Sequence, residues 1–270
     1  MLKDITLGQF FPGKTVIHRL DPRTKLLMTV LYLVALFVAN SWVSYGLVLA
    51  FLITAVSLSR IRPKTLLRGM KPIVIIVVLT AVLNLFYTGG DHVLARFWGI
   101  TITWEGVRTA IFMASRIIML ITGTFLLTYT TSPIALTDGL ESLLGPLKKL
   151  RLPVHELSMM MCIALRFIPT LIEETDKIMS AQKARGADFE TGSLLQRAKA
   201  LVPILVPLFI SAFRRADERA VAMECRCYHG GEGRTRLKVL RCEKQDYIDL
   251  AVCIACFAVI LASRLVFPNF

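Results

Sequence analysis

Charge is what this sequence is short of. Only 19% of its 270 residues are Asp, Glu, Lys or Arg, against about 25% in a soluble globular domain. Acidic residues are the scarcer kind, with 19 Asp and Glu facing 32 Lys and Arg for a formal net charge of +13. Histidine occurs four times, at His18, His92, His155 and His229, too scattered for clustered metal or proton chemistry. No Ser-His-Asp set, HExxH motif or paired intramembrane carboxylate is present, so the pattern is not that of an enzyme. Residues 1–11 hold no apolar stretch of the kind a cleaved signal peptide needs. The six cysteines fall in apolar runs or in segments expected in the cytosol, where thiols stay reduced, so a secreted disulfide scaffold is excluded.

What the sequence has is apolar length. Hydrophobic residues make up 55% of it, which excludes intrinsic disorder. An oily chain with a basic excess is either an unusual nucleic-acid binder or a membrane protein whose cations collect on one side. Five runs approach the length of a membrane span: Leu26–Asn40, Val43–Ser59, Pro72–Tyr87, Val107–Thr130 and Ile248–Ser263. Lys3, Lys14, Arg19, Arg23 and Lys25 precede the first run, five cations without an acid fill Arg60–Lys71, and eighteen more lie in Thr131–Tyr247. The alternate links are nearly bare, with Arg96 the one cation of Thr88–Gly106. The positive-inside rule therefore places the N-terminus in the cytoplasm and the C-terminus outside. The charge tracks topology rather than one binding face, and no nucleic-acid partner is expected.

The expected organisation is four spans over 1–130, a cytosolic region over 131–246 and a last span over 247–270. Ser132-Pro133 reads as a helix start and Gly145-Pro146 as a kink or break. A helix over Val154 to about Arg185 carries a seam through Leu157, Met161, Ala164, Ile168, Leu171, Thr175 and Ile178. A second runs from Ser193, a good N-cap, to about Arg226, with Leu194, Ala198, Leu201, Leu205, Leu208 and Ala212 as its seam. Pro169, Pro203 and Pro207 would bend these helices without ending them. Each is apolar for two thirds of its length and charged thereafter, suited to lying at a membrane interface with a polar tip in the cytosol.

The two helices end in Gln182-Lys183-Ala184-Arg185-Gly186 and in Ala222-Met223-Glu224-Cys225-Arg226-Cys227-Tyr228. With His18-Arg19-Leu20-Asp21-Pro22-Arg23 near the N-terminus, Ala164–Pro169 and the Glu232–Arg236 tail, these motifs follow one another in an order that covers essentially the whole chain. The sequence resembles the transmembrane T component of energy-coupling factor (ECF) transporters. The resemblance implies an all-α integral membrane protein of about five spans with two long amphipathic coupling helices. It implies a non-catalytic scaffold that couples ATP hydrolysis by two ABC-type ATPase subunits to reorientation of a small membrane-embedded, vitamin-binding S subunit. Multi-pass residence in a bacterial plasma membrane follows, with ATP and Mg²⁺ bound by the partners and no cofactor of its own. Ala184, Arg185 and Gly186 match the first ATPase-docking motif. Cys225, Arg226 and Cys227 stand at the second, where the family has a small residue and Gly beside the Arg. Cys accepts a positive φ less readily than Gly, so Cys227 is expected to carry the helix on towards Gly230-Gly231. By spacing alone, an Arg at a helix end is ordinary dipole decoration; the resemblance makes it a docking residue. Met159, Met160 and Met161 are candidates for contact with the S subunit, since Met adapts to varied partners, and core packing accounts for them equally well.

Other patterns carry less. Gly8–Thr15 fits G-x-x-x-x-G-K-T but lacks the strand before it and the helix after it that phosphate binding needs. Cys225, Cys227, His229 and Cys242 have zinc-ligand chemistry without a known zinc spacing, so no metal is expected. Cys253 and Cys256 read as small apolar residues on one helix face. Arg116, deep in the fourth run, needs a structural partner. Glu173-Glu174 would be the germ of an intramembrane enzyme, the rival class, but lies where its helix turns polar. An autonomous channel or secondary transporter, the other rival, would show internal repeats and broken midplane spans.

Overall fold

The computed structural model describes residues 10–13, 15–89, 93–97, 100–146, 153–189, 193–230, 240 and 242–266. In chain order the elements are α1 (Val16–Arg19), α2 (Pro22–Val38), α3 (Trp42–Ser59), α4 (Pro63–Tyr87), β1 (Val93–Phe97) and β2 (Ile100–Thr103). They continue with α5 (Trp104–Thr130), α6 (Pro133–Leu143), α7 (Val154–Ala184), α8 (Leu194–Glu224) and α9 (Lys244–Val266). The chain is an all-α integral membrane protein with one small antiparallel hairpin, β1–β2, among the described residues.

Short polar side chains set the helix starts. Asp21 accepts the Arg23 N–H at 2.9 Å at the head of α2, with Pro22 in the first helical position. Ser41 accepts from Ser44 N–H at 3.3 Å and Thr103 from Gly106 N–H at 3.1 Å. Ser193 and Gln196 satisfy each other's amides in a capping box that opens α8. Pro72, Pro169, Pro203 and Pro207 lie inside α4, α7 and α8, which run on through them. α6 starts at Pro133 and stops at Leu143, just before Gly145-Pro146.

Among the described residues, five helices are long and apolar enough to cross a membrane: α3, α4, α5, α7 and Lys244–Ser263 of α9. The set differs from the five sequence runs in two members. α2 has 17 residues, about 26 Å at helical rise against an apolar core of about 30 Å. α7 qualifies because its apolar first part is continuous with a charged remainder. Helix α4 also begins nine residues before the apolar run, so Lys64, Arg68 and Lys71 form an exposed stripe on its first turns rather than a loop.

The chain divides into two compact units, Gly8–Gly139 with Leu240–Phe270, and Met1–Leu7 with Leu140–Val239. In the former, α2 packs on α5 and α9, α3 on α5 and α9, and α4 on α5. Leu36, Val48, Tyr32, Met119 and Ile260 form its centre. Tyr32 donates to Met119 O at 2.9 Å, and its ring fills the space that a Cβ on Gly123 would occupy. A polar knot closes one end of this unit. Asp246 accepts the backbone N–H groups of Asp21 at 2.8 Å and Glu243 at 2.7 Å, while buried Lys25 donates to Thr130 O at 3.0 Å and His18 O at 3.3 Å. Three separate stretches of chain are held there by groups that would each be costly to bury unpaired. The His18–Arg23 motif thus has a visible structural task. In the other unit α7 packs on α8.

Candidate functional site

The ends of α7 and α8 are built alike. At the end of α7 the Gly186 N–H donates to Lys183 O and the Ala187 N–H to Gln182 O, each at 3.0 Å. At the end of α8 the Cys227 N–H donates to Glu224 O at 2.9 Å and the Tyr228 N–H to Met223 O at 3.0 Å. These are the paired bonds, three and five residues back, of a Schellman cap. Its left-handed position is Gly186, at φ 86°, in one helix and Cys227, at φ 56°, in the other. The expectation that Cys227 extends α8 towards Gly230-Gly231 is overturned: α8 ends at Glu224 and Cys227 closes the cap. Satisfying the last carbonyls outweighs the steric cost of a Cβ in that region, about 1 kcal/mol. Gly230 has its own positive φ of 96° in the chain beyond, and Gly231 lies outside the described residues.

Arg185 and Arg226 therefore occupy equivalent positions, each immediately before the left-handed residue and each exposed. Ala184 matches Cys225 in the same register, and both are exposed. Neither guanidinium has a hydrogen bond or ion pair among the described residues. Each adds positive charge at a helix C-terminus, where the carbonyls carry partial negative charge. An exposed guanidinium held on a well-formed cap can offer a fork to a carboxylate.

The two helices are joined along their length by contacts that no periodicity reveals. Glu174 Oε2 lies 2.9 Å from Arg215 Nη2, and Ser211 Oγ donates to Glu174 Oε1. One to two turns away along each helix, the Arg219 guanidinium lies 3.3 Å from the Phe167 ring centroid. Phe167 precedes Glu174 whereas Arg219 follows Arg215, so the helices cross with opposed chain directions. Their tips leave the crossing on opposite sides, some 15–20 Å from it at helical rise. Glu174 is thus half of an interhelical ion pair, which accounts for one of the two carboxylates that prompted the enzyme reading. The signal in the sequence was the late charge on both helices; the pairing needed their crossing.

The apolar surfaces are only partly internal. Ile204 is buried, whereas Leu201 and Leu205, expected in the seam, are exposed. The inward face of α8 is turned by about one residue relative to the seam, and Ile204, Leu208, Ser211, Arg215 and Arg219 follow it. Val202, Val206, Phe209 and Phe213 form an exposed stripe on the other side. On α7, Met160 and Met161 are exposed and Met159 is half-buried, so the first two are not core residues of the chain itself.

The remaining candidates fall elsewhere. Of the G-x-x-x-x-G-K-T stretch, Gly8, Gln9 and Lys14 lie outside the described residues, Phe11 N–H donates to Tyr129 O at 3.0 Å, and the Thr15 hydroxyl bonds His18 Nδ1 at 2.6 Å. Among the described residues no group of three or more His, Cys, Asp or Glu is placed to hold a metal. His92 and Glu232–Arg236 also lie outside the described residues. Cys253 is buried, with its thiol 3.9 Å from Met28 O. Arg116 has the partners that sequence left open, donating to the Tyr45 hydroxyl at 2.7 Å and to Ala39 O at 3.2 Å.

Helices apolar enough to span a membrane, with two capped, arginine-tipped helices in the same chain, suit a membrane transporter component, and comparison with known proteins agrees. The family model for the cobalt transport protein CbiQ matches residues 13–237. The chain is 53% identical over 266 residues to the energy-coupling factor transporter transmembrane protein EcfT of Clostridium kluyveri, covering 98% of both chains. It is 58% identical over 245 residues to EcfT of Thermosediminibacter oceani, covering 91% of this chain and 92% of that one. For EcfT of Bacillus subtilis the identity is 50% over 240 residues, 89% and 91% of the two chains. The chain belongs to the family of transmembrane T components of ECF transporters.

Proposed function

We propose that this chain is the non-catalytic scaffold of an ECF-type importer, docking two ABC-type ATPase subunits through Arg185 and Arg226. The observation that carries the reading is the equivalence of the two tips, each an exposed Arg without a partner among the described residues and seated on the same cap. Two like tips on opposite sides of one crossing suit two like partners. In this reading ATP and Mg²⁺ are bound by those partners. Closure of the ATPases moves the tips, and the Glu174–Arg215 crossing passes the motion along both helices. The exposed apolar residues Phe209 and Phe213 of α8, with Met160 and Met161 of α7, face a small substrate-binding S subunit, which reorients to deliver a vitamin or related micronutrient. The cations sorted to one side of the sequence support a cytoplasmic N-terminus and cytoplasmic tips in this reading, with the C-terminus outside. Site residues at the tips are Ala184, Arg185, Gly186, Cys225, Arg226 and Cys227.

Purification of the complex after Arg185→Glu plus Arg226→Glu tests this. Loss of both ATPases, with the chain still inserted in the membrane, is the expected result, because one charged contact truncated in a desolvated interface costs about 2–5 kcal/mol. Undiminished co-purification would refute the docking assignment.

A further inference from the structure

A cavity of about 250 Å³ opens between the α2–α3 turn, α3 and α5, at the end of the bundle where α2 stops and α3 and α5 start. Asn40, Tyr45, Glu105, Arg108, Thr109 and Arg116 supply its polar lining. Arg116 stands about 18 Å along α5 from Trp104, deep in the span. A cation at that depth requires a protein or aqueous partner. Only two of its five N–H groups have one, Nε on the Tyr45 hydroxyl and one Nη on Ala39 O. The rest of the fork has no acceptor among the described residues. Arg108, over the Phe112 ring at 5.7 Å, brings a second positive charge to the same cavity. Against these stands one carboxylate, Glu105, whose Oε2 is buried without a hydrogen-bond partner. The side chains lining the cavity therefore include one more cation than carboxylate, donors on Arg116 that no described residue accepts, and a buried acceptor on Glu105. Phe112 and Met113 complete the wall with apolar surface, and Trp42, its ring centroid 4.5 Å from that of Phe112 in a tilted contact, is exposed at the same end as an interfacial aromatic.

We propose that this cavity binds the headgroup of a glycerophospholipid from the adjoining leaflet, its phosphodiester on Arg116 and Arg108 and a headgroup hydroxyl on Glu105. A phosphodiester takes a guanidinium fork well, and its single negative charge matches the excess of one cation among the lining side chains. A hydroxyl-bearing headgroup supplies the donor that Glu105 Oε2 lacks. Phosphatidylglycerol meets all three conditions, whereas phosphatidylcholine has the phosphodiester but no donor. The apolar wall selects a ligand with a hydrocarbon body over a free ion.

Native mass spectrometry of the full-length protein, offered phosphatidylglycerol or phosphatidylcholine in mild detergent, tests the assignment. Phosphatidylglycerol is retained preferentially. Retention falls about tenfold in Arg116→Gln, the change expected from losing one charged hydrogen-bonded contact. Because that substitution also removes the bonds to Tyr45 and Ala39, Arg108→Gln gives an independent measure and lowers retention in the same direction. Glu105→Gln narrows the preference over phosphatidylcholine without lowering phosphatidylcholine retention. Equal retention of the two lipids, or unchanged phosphatidylglycerol retention in folded Arg108→Gln, would overturn the proposal. Occupancy by inorganic phosphate with no retained lipid would keep the anion chemistry but refute the lipid as its source.

Discussion

Cys227, at φ 56°, holds in α8 the position that Gly186, at φ 86°, holds in α7. The two caps make the same hydrogen bonds, yet only one has the residue that adopts this backbone without steric cost. Cys227→Gly should therefore tighten the α8 tip by about 1 kcal/mol, and Gly186→Val should loosen the α7 tip by at least as much. The readout is exchange of the amides that close the caps. Tyr228 N–H is expected to exchange about fivefold more slowly in Cys227→Gly, and Ala187 N–H faster in Gly186→Val. No change at Tyr228 would show that Cys227 sits at its position without strain.

The crossing of α7 and α8 depends on a half-buried ion pair, and its two members should be coupled. Glu174 and Arg215 keep only 21% and 35% of their side-chain surface exposed, and Ser211 adds a hydrogen bond to the same carboxylate. Glu174→Gln and Arg215→Met should each destabilise the protein, and the double substitution should cost less than their sum. A coupling of about 1 kcal/mol, at the upper end for partly exposed pairs, is expected from thermal unfolding of the four variants in detergent. Strict additivity would mean that the two charges do not interact.

Helix ends were the most legible part of the sequence, because capping is local chemistry. Ser132-Pro133, Ser193 and Arg185-Gly186 mark boundaries that the structure places within a residue or two. Where packing decides, the sequence misleads. Lys64, Arg68 and Lys71 look like a basic loop, but as a stripe on the first turns of α4 they need no loop at all. Residues 93–103 are too short and too mixed to announce a hairpin. Leu201 and Leu205 outrank Ile204 by spacing, yet Ile204 is the residue that turns inward. The positive φ of Cys227 runs against residue preference, since cap hydrogen bonds outweigh a modest backbone cost. The partners of Arg116 lie 71 and 77 residues away, out of reach of any local pattern.

Gly123 marks a close approach in the core of the spanning bundle. A Cβ there would overlap the ring of Tyr32, whose hydroxyl is fixed on Met119 O. Gly123→Ala should lower stability by about 1–3 kcal/mol through overpacking. Tyr32→Leu alone should also destabilise, by removing the ring and its hydrogen bond. Combined with Gly123→Ala, it should recover part of the loss, because the new methyl then has room. Thermal unfolding of the two single variants and the double variant checks this, and a double variant as unstable as the sum would place the clash elsewhere.

The His18 ring fastens α1 through two bonds of opposite polarity. The Thr15 hydroxyl lies 2.6 Å from Nδ1, and Nε2 lies 3.1 Å from Phe11 O. Phe11 O can only accept, so the Nε2–H tautomer suits both, with the Thr15 hydroxyl donating to Nδ1. Burial holds the imidazole below its ordinary value of 6.5; the bond to Phe11 O opposes this shift and the charge of Lys25 adds to it. A histidine with a lowered folded-state pKa binds its proton more readily when unfolded. Its contribution is therefore complete above about pH 6.5 and declines as pH falls below that value. Protonation at Nδ1 also reverses the bond with Thr15, so α1 should loosen first. Arg19 N–H, which closes that turn on Thr15 O at 3.2 Å, reports it. Its protection, corrected for intrinsic exchange, should fall between pH 7 and pH 5, and His18→Gln should remove that pH dependence. Equal pH dependence with and without His18 would assign the change to another group.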